Sequence, residues 1–181
     1  MIQFTYVEMR CLVDQRQDDT GFPIGGLTVE PLESANPSDL YDCYASSFEA
    51  GDAFFFQYQP EGERRRYFEQ DLGFPQVLSN PASFLLRQGA EIIAFTLVLA
   101  CPEDNYHISC MCVLPEYQDH GLGRAMLNRI KGIAFDNGAR LITLGTEPTM
   151  KAFQLYSENG FTVFDEHVVE IPDLDPDVDL S

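Results

Sequence analysis

The sequence predicts an α/β domain built on a mixed, mostly antiparallel sheet of six or seven strands, with helices on both faces. Two patterns lead to this prediction. A hairpin pattern around residue 89 is followed by a strand–helix–strand pattern over residues 106–146, where the apolar period changes from strand-like to helical and back. The two strands of such a unit are parallel and their crossover is right-handed. The length of 181 residues suits one domain of this kind.

The N-terminal segment contains two strand patterns. Residues 2–9 alternate loosely like a strand and lead into a turn-rich connector, so we expect residues 1–26 to form either an extra strand or a loosely attached arm. Leu27–Pro31 follows as a short strand. The main domain is therefore expected to span residues 27–171.

Two helices are predicted before the central strands. The first begins at Asn36-Pro37, where asparagine is a good cap and proline suits the first turn, and it ends at Gly51. The phenylalanine-rich segment 52–63 is expected to be a loop, and a second helix is expected over Glu61–Leu72.

The centre of the sheet is predicted from the next three strands. Residues 83–87 and 90–100 form a hairpin around Gln88-Gly89. Because residues 90–100 are apolar on both faces, this strand should lie inside the sheet. The third strand, residues 106–113, is ended by Pro115.

The last elements alternate between helix and strand. A helix enters through Gly121-Leu122-Gly123 and closes at Asn137-Gly138. The remaining predicted elements are a strand over residues 140–146, a short helix from Pro148 through Tyr156, and a strand over residues 161–171. Residues 172–181 are acidic and proline-containing, which predicts a disordered tail.

The composition limits the classes of partner. Eleven Lys and Arg residues against 29 Asp and Glu residues give a net charge of −18, which argues against nucleic acid and anionic membranes as partners. The charge favours a cationic substrate modestly, and solubility alone would also explain it. No stretch is long and apolar enough to span a bilayer, and the first residues lack a signal-peptide pattern, so a cytoplasmic protein is expected.

The five cysteines predict neither a disulfide framework nor a metal site. Their number is odd and their spacing is scattered, which suits a reducing compartment. A single C-x-C pair, even with His107 nearby, is a weak indication of zinc. The five residues are Cys11, Cys43, Cys101, Cys110 and Cys112.

The most informative segment joins the strand 106–113 to the following helix. Residues 113–124 read VLPEYQDHGLGR. The start of a helix offers free N–H donors and the positive end of the helix dipole, and Gly121 and Gly123 allow an anion to approach the backbone. Arg124 adds a full positive charge in the first turn. This pattern predicts a phosphate-binding site, but it fits neither the dinucleotide fingerprint nor the Walker loop.

Two motifs resemble the GNAT (GCN5-related N-acetyltransferase) superfamily. The pattern Q-x-x-G-x-G at residues 118–123, preceded by V-x-P, resembles the superfamily's acetyl-CoA signature. The segment AFQLYSENGF at residues 152–161 resembles its later A-x-x-L-Y-x-x-x-G-F motif. The order of predicted elements from residue 27 to residue 171 also matches this superfamily, which implies its mixed sheet and an acetyltransferase activity.

The resemblance implies the role of each motif residue. The backbone of Met111 and Val113, on either side of Cys112, would pair with the pantetheine arm of acetyl-CoA. Tyr156 would protonate the leaving thiolate. Thr149 stands where the superfamily often has an asparagine that contacts the cofactor. The backbone N–H groups that would hold the pyrophosphate belong to Gln118, Asp119, His120, Gly121, Leu122, Gly123 and Arg124.

The base that deprotonates the acceptor amine has three candidates. The superfamily often places glutamate or histidine eleven residues before the motif glutamine, and His107 stands there. The unperturbed pKa of histidine, about 6.5, suits this task. Glu147 at the end of the following strand and an ordered water are the alternatives.

The resulting expectation is an acetyl-CoA-dependent N-acetyltransferase. Acetyl would move to a primary amine of a small, cationic or aromatic acceptor by direct attack in a ternary complex, without a metal. A noncatalytic acyl-CoA-binding module and an acyltransferase for longer acyl groups are the alternatives. The expected partner is a small-molecule amine rather than nucleic acid or membrane, and the protein is expected to be a monomer or homodimer.

Overall fold

The computed structural model describes residues 2–18, 21–51 and 53–171. The predicted acidic tail, residues 172–181, lies outside the described residues. In chain order the elements are β1 (Ile2–Leu12), β2 (Leu27–Pro31), α1 (Pro37–Glu49), α2 (Phe54–Tyr58), α3 (Glu61–Leu72), α4 (Pro75–Ser79), β3 (Phe84–Gln88), β4 (Glu91–Cys101), β5 (Asn105–Val113), α5 (Leu122–Asp136), β6 (Leu141–Thr146), α6 (Lys151–Glu158) and β7 (Thr162–Ile171). Two short 3-10 helices cover Leu32–Ser34 and Pro115–Tyr117.

The described strands form one mixed sheet of seven strands, in the order β2-β3-β4-β5-β6-β1-β7. All neighbouring strands are antiparallel except β5 and β6, which are parallel. The prediction of a mixed, mostly antiparallel sheet is therefore confirmed. The parallel pair joined through α5 is the predicted strand–helix–strand unit.

Helices cover both faces of the sheet, as predicted. Phe68 of α3 packs on Phe95 of β4, with ring centroids 6.0 Å apart. Arg129 of α5 lies over the ring of Phe84 in β3. Leu85 is the cross-strand partner of Phe95, so its neighbour Phe84 points to the opposite face. The helices α3 and α5 therefore pack on opposite sides. None of the helices among the described residues combines the length and apolar character needed to cross a membrane.

The N-terminal strand β1 lies inside the sheet. Of the two alternatives for residues 1–26, an extra strand or an arm, residues 2–12 adopt the strand. It pairs with β6 on one side and with β7 on the other. Val7 and Met9 are buried against the core, which explains why this segment cannot be a loose arm.

The predicted loop 52–63 is wrong in its first half, because α2 forms there. A five-residue helix has little stability of its own, but the backbone N–H groups of Phe54 and Phe55 are satisfied by the carboxylate of Glu147, far away in the sequence. Phe56 adds a buried aromatic contact with Tyr44. These tertiary interactions leave no local pattern in the sequence.

Two further element boundaries differ from the predictions. The helix α4, which begins at Pro75, was not predicted. The helix α6 begins at Lys151 instead of Pro148, because Met150 N–H bonds the carbonyl of Glu147 and closes a turn first. The other predicted helices and strands agree with the structure to within two residues, apart from β1, which extends three residues further to Leu12.

Replacing buried and exposed residues of β1 tests whether it is an integral strand. Met9 is 1% exposed and Leu12 is 72% exposed. We expect Met9→Ala to lower the free energy of unfolding by about 2–5 kcal/mol, because it leaves a cavity in the core. Leu12→Ala is the matched control and should change it by less than about 0.5 kcal/mol. Urea unfolding measures the free energy of unfolding of both variants. A loss in Met9→Ala as small as that in Leu12→Ala would mean that β1 does not contribute to the core.

Candidate active site

The strands β5 and β6 separate part-way along their length. They pair in parallel from Asn105 with Leu141 to Ile108 with Leu144. Beyond this point β4 remains paired with β5 as far as Val113, whereas β6 leaves it. In the described part of the chain no strand pairs with the other edge of residues 109–113, which faces the opening where β6 has left β5. We refer to the opening between residues 109–113 and β6 as the strand gap.

A β-bulge marks the start of the strand gap. Leu97 of β4 pairs with Cys110, whereas Val98 pairs with Ile108, so no residue of β4 stands opposite Ser109, whose hydroxyl donates to the carbonyl of Leu97. A bulge bends its strand and increases the local twist. The bulge at Ser109 thus coincides with the place where β5 turns away from β6.

The loop after β5 is held in a defined conformation. The side chain of Gln118 donates from Nε2 to the carbonyl oxygen of Val113 over 2.9 Å, which ties the loop back to the end of β5. Asp119 and Gly121 both have positive φ, at 59° and 82°. Glycine adopts this left-handed conformation without a steric penalty, and α5 begins directly after Gly121. The free N–H groups at the start of α5 therefore lie beside the strand gap.

The charges around this helix start are balanced by ion pairs. Lys151, the first residue of α6, lies 3.2 Å from the carboxylate of Asp119. Arg124 lies 3.4 Å from the carboxylate of Glu158. All four side chains are largely exposed, so these pairs contribute little to stability. Lys151 nevertheless offsets the negative charge that Asp119 places at the helix start.

Gly123 has a packing role that its sequence motif did not reveal. A Cβ atom at this position would lie 2.8 Å from Cδ2 of Leu155 in α6, closer than side chains approach in real structures. Gly123 therefore permits α5 to pack closely on α6. At Gly121 the requirement is the positive φ, since the nearest atom to an added Cβ is 3.6 Å away, in Pro23.

Tyr156 extends from α6 into the core. It is 7% exposed, and its ring packs against Phe161 with centroids 5.8 Å apart. Burial raises the pKa of Tyr156, and the nearby groups Cys110, Tyr6 and Cys112 raise it further. The phenol is therefore protonated at neutral pH and can act as an acid.

His107 lies on β5, two residues before the bulge. Its Nδ1 is 3.0 Å from Oγ1 of Thr143 on β6, at hydrogen-bonding distance. Burial lowers the pKa of His107, while the negative charges of Glu8 and Asp71 raise it. Burial also raises the pKa of Asp71, against the positive charge of His107 and the interaction with the Ser109 side chain.

Glu147 is committed to a structural contact. The side chain is 1% exposed, and its two carboxylate oxygens accept hydrogen bonds from the backbone N–H groups of Phe54 and Phe55, each over 2.9 Å. This arrangement makes Glu147 the cap of α2. It leaves the carboxylate poorly placed to receive a proton from an amine.

A family comparison identifies the protein class. Residues 38–161, more than half of the chain, match the family model described as the acetyltransferase (GNAT) family. The chain belongs to the GNAT acetyltransferase family. The resemblance inferred from the two sequence motifs is therefore confirmed. A search of curated protein sequences finds no match.

Solved structures of other acetyltransferases share the fold. A GCN5-related N-acetyltransferase from Sphaerobacter thermophilus superposes with a TM-score of 0.65 at 17% identity, covering 91% of this chain and 50% of that one. The ribosomal-protein-S18-alanine N-acetyltransferase from Escherichia coli has a TM-score of 0.57 at 23% identity, covering 74% and 76%. The PaiA N-acetyltransferase from Thermoplasma acidophilum in complex with coenzyme A has a TM-score of 0.61 at 15% identity, covering 77% and 91%. This chain thus spans half the length of the first of these.

The fold brings most of the predicted site residues together around the strand gap. Met111 and Val113 are half-buried on the free edge, whereas the side chain of Cys112 is buried against Cys110 and Cys43. Thr149 is exposed in the turn before α6, not in the helix that the sequence predicted. The predicted phosphate-binding residues form the loop and first turn of α5. Within the described ranges, no group of His, Cys, Asp and Glu is arranged to hold a metal ion.

Four residues near the site were missed by the sequence reasoning. Lys151 is one of only two lysines, and it directly precedes the second motif at residues 152–161, so the sequence offered a reason to consider it. The others come from elements outside the two motifs, and no pattern in the sequence points to them. They are Tyr6 and Glu8 of β1 and Asp71 of α3.

The close packing at Gly123 predicts a specific effect on acetyl-CoA binding. Gly123→Ala should push α5 away from Leu155 and weaken binding about tenfold, equivalent to about 1.4 kcal/mol. Adding Leu155→Ala to this variant should restore part of the affinity. Gly62→Ala in α3, where an added Cβ meets no atom, is the control. Calorimetric titration measures the acetyl-CoA affinity of these three variants. An unchanged affinity in Gly123→Ala would contradict the packing role of Gly123.

Proposed function

We propose that this acetyltransferase moves acetyl from acetyl-CoA to the primary amine of a small, cationic or aromatic acceptor, by direct attack in a ternary complex. One observation carries the proposal. The free edge of residues 109–113, the N-terminus of α5 and the hydroxyl-bearing Tyr156 all meet at the strand gap. These are the groups needed to hold an extended acyl donor with its phosphates at one end and its thioester at the other.

The residues present fit acetyl-CoA. The unpaired backbone of residues 109–113 can bond to the amide groups of the pantetheine arm, as a strand would. The N–H groups at the start of α5 suit the pyrophosphate, and Arg124 and Lys151 add positive charge beside them. Acetyl-CoA supplies the acetyl group as a thioester. Cys112 takes part through its backbone, since its side chain is buried.

Tyr156 serves as the acid in this proposal. A departing thiolate is stabilised when a neighbouring group protonates it. The phenol is protonated at neutral pH, and it lies beside Cys110 on the strand that borders the gap. Its fixed ring, packed on Phe161, presents the hydroxyl without reorganisation.

His107 serves as the base. In this proposal Nδ1 carries the ring proton and donates it to Oγ1 of Thr143 over 3.0 Å, which fixes the ring and leaves Nε2 unprotonated and able to accept a proton. Because burial lowers its pKa, His107 is neutral at physiological pH and ready to accept one. Glu147 is the weaker candidate, since both of its carboxylate oxygens already accept backbone hydrogen bonds.

The proton balance uses both residues. The acceptor ammonium gives one proton to Nε2 of His107, and its nitrogen forms the new C–N bond with the acetyl carbon. The C–S bond breaks with its electron pair on sulfur, which takes the proton of Tyr156. The second amine proton then replaces that of the phenol, and His107 releases its proton to solvent.

Direct assay tests the proposed function. Purified protein, acetyl-CoA and a panel of primary amines should yield free CoA thiol and acetylated amine in equal amounts, with the product identified by mass spectrometry. Butyryl-CoA in the same assay separates an acetyltransferase from an enzyme for longer acyl groups. Binding of acetyl-CoA without transfer to any amine would identify a noncatalytic binding module and overturn the proposal.

Removing the Tyr156 hydroxyl should affect the chemical step alone. We expect Tyr156→Phe to lower kcat by about 10²–10⁴-fold, the usual effect of losing a proton transfer, with little change in acetyl-CoA affinity. Tyr106→Phe is the matched control, since Tyr106 is also buried, at 9% exposure, but points to the opposite face from His107. Full kcat in Tyr156→Phe would exclude this residue as the acid.

The base assignment predicts a pH dependence. His107 must be neutral to accept a proton, so kcat/KM should rise with pH through the pKa of His107 and then level. Because burial lowers that pKa, the midpoint should lie below about 6.5. His107→Gln should lower activity and remove this limb. If kcat/KM of the variant still rises with pH in the same way, the rise reports the titration of another group and His107 is not the base.

A further inference from the structure

The strand β1 lies outside the part of the chain that matches the family model, yet it contributes to the same face of the sheet as His107. The match begins at residue 38, whereas β1 covers Ile2–Leu12. Glu8 of β1 is the cross-strand partner of Gly145 on β6. His107 of β5 is the partner of Thr143 on the same strand. Thr143 and Gly145 are two residues apart, so these side chains all share one face.

Tyr6 reaches across β6 from this strand. A Cβ atom on Gly145 would overlap the Tyr6 ring and its hydroxyl, so the phenol lies directly over the backbone of β6. Glycine at position 145 is therefore what allows Tyr6 to extend towards the strand gap. Burial raises the pKa of Tyr6 to about 12, and the charges of Glu8, Glu147 and Asp71 contribute.

Asp71 approaches the same place from the other side. It comes from α3 and interacts electrostatically with His107 and with the Ser109 side chain at the bulge, whose hydroxyl donates to the carbonyl of Leu97. His107 is thus flanked by two carboxylates from separate elements, Glu8 and Asp71. The groups of β4 and β6 that accompany it, Leu99 and Thr143, are uncharged.

No cation of the described chain neutralises the two carboxylates. The ion pairs among residues 2–18, 21–51 and 53–171 involve neither Glu8 nor Asp71. Arg10 is on the same face of β1, but its guanidinium lies over the ring of Phe164. Partly buried carboxylates without a cation favour a positively charged ligand.

An independent observation also points to a ligand here. Tyr156 is more than nine-tenths buried, and in the described parts of the chain no hydrogen bond joins its hydroxyl to another residue. This hydroxyl interacts with Tyr6, so it points towards the same group of side chains. The hydroxyl oxygen is not among the fully buried, unpartnered polar atoms of the described residues, so it opens onto the strand gap, where a bound molecule can contact it.

A row of aromatic rings lies next to Tyr6 on the same side of the sheet. Phe4, two residues earlier on the same face of β1, stacks on Phe54 of α2 with centroids 6.4 Å apart. Phe54 stacks in turn on Tyr58 at 5.9 Å. This row offers an apolar surface next to the carboxylates.

We propose that Glu8 and Asp71 bind the ammonium group of the acceptor beside His107, with Tyr6 and the aromatic row contacting its carbon body, so that β1 completes the acceptor site. This inference rests on the proposed function. The two carboxylates bring the ammonium group to Nε2 of His107, which removes its proton. They also repel an acceptor that carries a carboxylate next to its amine. The acceptor class is therefore a primary amine with an apolar body and no adjacent carboxylate.

Two probes with the same carbon body test the acceptor class. Phenethylamine and phenylalanine differ only in the carboxylate beside the amine. The wild-type protein should acetylate phenethylamine with the higher kcat/KM. In Glu8→Gln, the KM for phenethylamine should rise about ten- to a hundredfold, the usual effect of losing a charged hydrogen-bonding partner, with a smaller change in kcat. The ratio of kcat/KM for phenethylamine to that for phenylalanine should be smaller in Glu8→Gln than in the wild-type protein.

Two further readouts distinguish this role from a structural one. Calorimetric titration of phenethylamine into the CoA-saturated protein should show the same loss of affinity in Glu8→Gln, while acetyl-CoA affinity and thermal stability stay unchanged. Because the charge of Glu8 raises the pKa of His107, the acidic limb of kcat/KM should also move to lower pH in this variant. Asp71→Asn gives a second variant if Glu8→Gln folds poorly, and it should also weaken phenethylamine binding because it removes the other carboxylate.

Glu166→Gln is the matched control. Glu166 lies on β7 opposite Val7, so it points to the other face of the sheet from Glu8, and its replacement should change none of these values. Transfer to phenethylamine with the same constants in Glu8→Gln as in wild type, or a wild-type preference for phenylalanine, would overturn the acceptor site while leaving the proposed function intact. Absence of transfer to any amine would overturn both.

Discussion

The separation of β5 from β6 after Ile108 is the constraint on which the rest of the site depends. A sheet normally pairs every backbone group of its inner strands, and an unpaired edge inside a domain is costly unless something else occupies it. Here the bulge at Ser109 turns β5 away while β4 keeps it in the sheet. The same divergence brings the N-terminus of α5 and the side chain of Tyr156 to the opening. An inner strand edge, a helix start and a buried tyrosine thus converge because two parallel strands part.

The N-terminal strand supports the other side of this opening. After Leu144, β6 has lost β5 as a neighbour, and its last two residues pair only with β1 in the described chain, Gly145 with Glu8 and Thr146 with Val7. Without β1 these residues would have no strand on either side. The segment that lies outside the family match is therefore needed for the geometry of the matched part. Its residue Glu8 accordingly lies on the same face of the sheet as His107.

The sequence predicted the elements whose causes are local. Three features are determined by residues close to them in the sequence, and the structure agrees with each. They are the start of α5 between two glycines, the cap at Asn36 and the motif around Tyr156. The elements that were missed depend on distant partners. The helix α2 needs Glu147, and the position of β1 follows from pairing with strands more than a hundred residues away. Periodicity indicates a strand but does not reveal its neighbours.

Glu147 shows how the surroundings decide what a carboxylate does. Its place at the end of a strand beside the opening makes it a reasonable candidate for a base. A buried carboxylate is stable only when its oxygens are hydrogen-bonded, and here two backbone N–H groups of α2 satisfy them. The carboxylate therefore joins the end of β6 to α2, whose Phe54 stacks on β1. Glu8 and Asp71 lack such partners and retain their capacity to bind a cation. In the proposal, Glu147 therefore has a structural role because backbone N–H groups already bond its carboxylate, whereas Glu8 and Asp71 bind the acceptor.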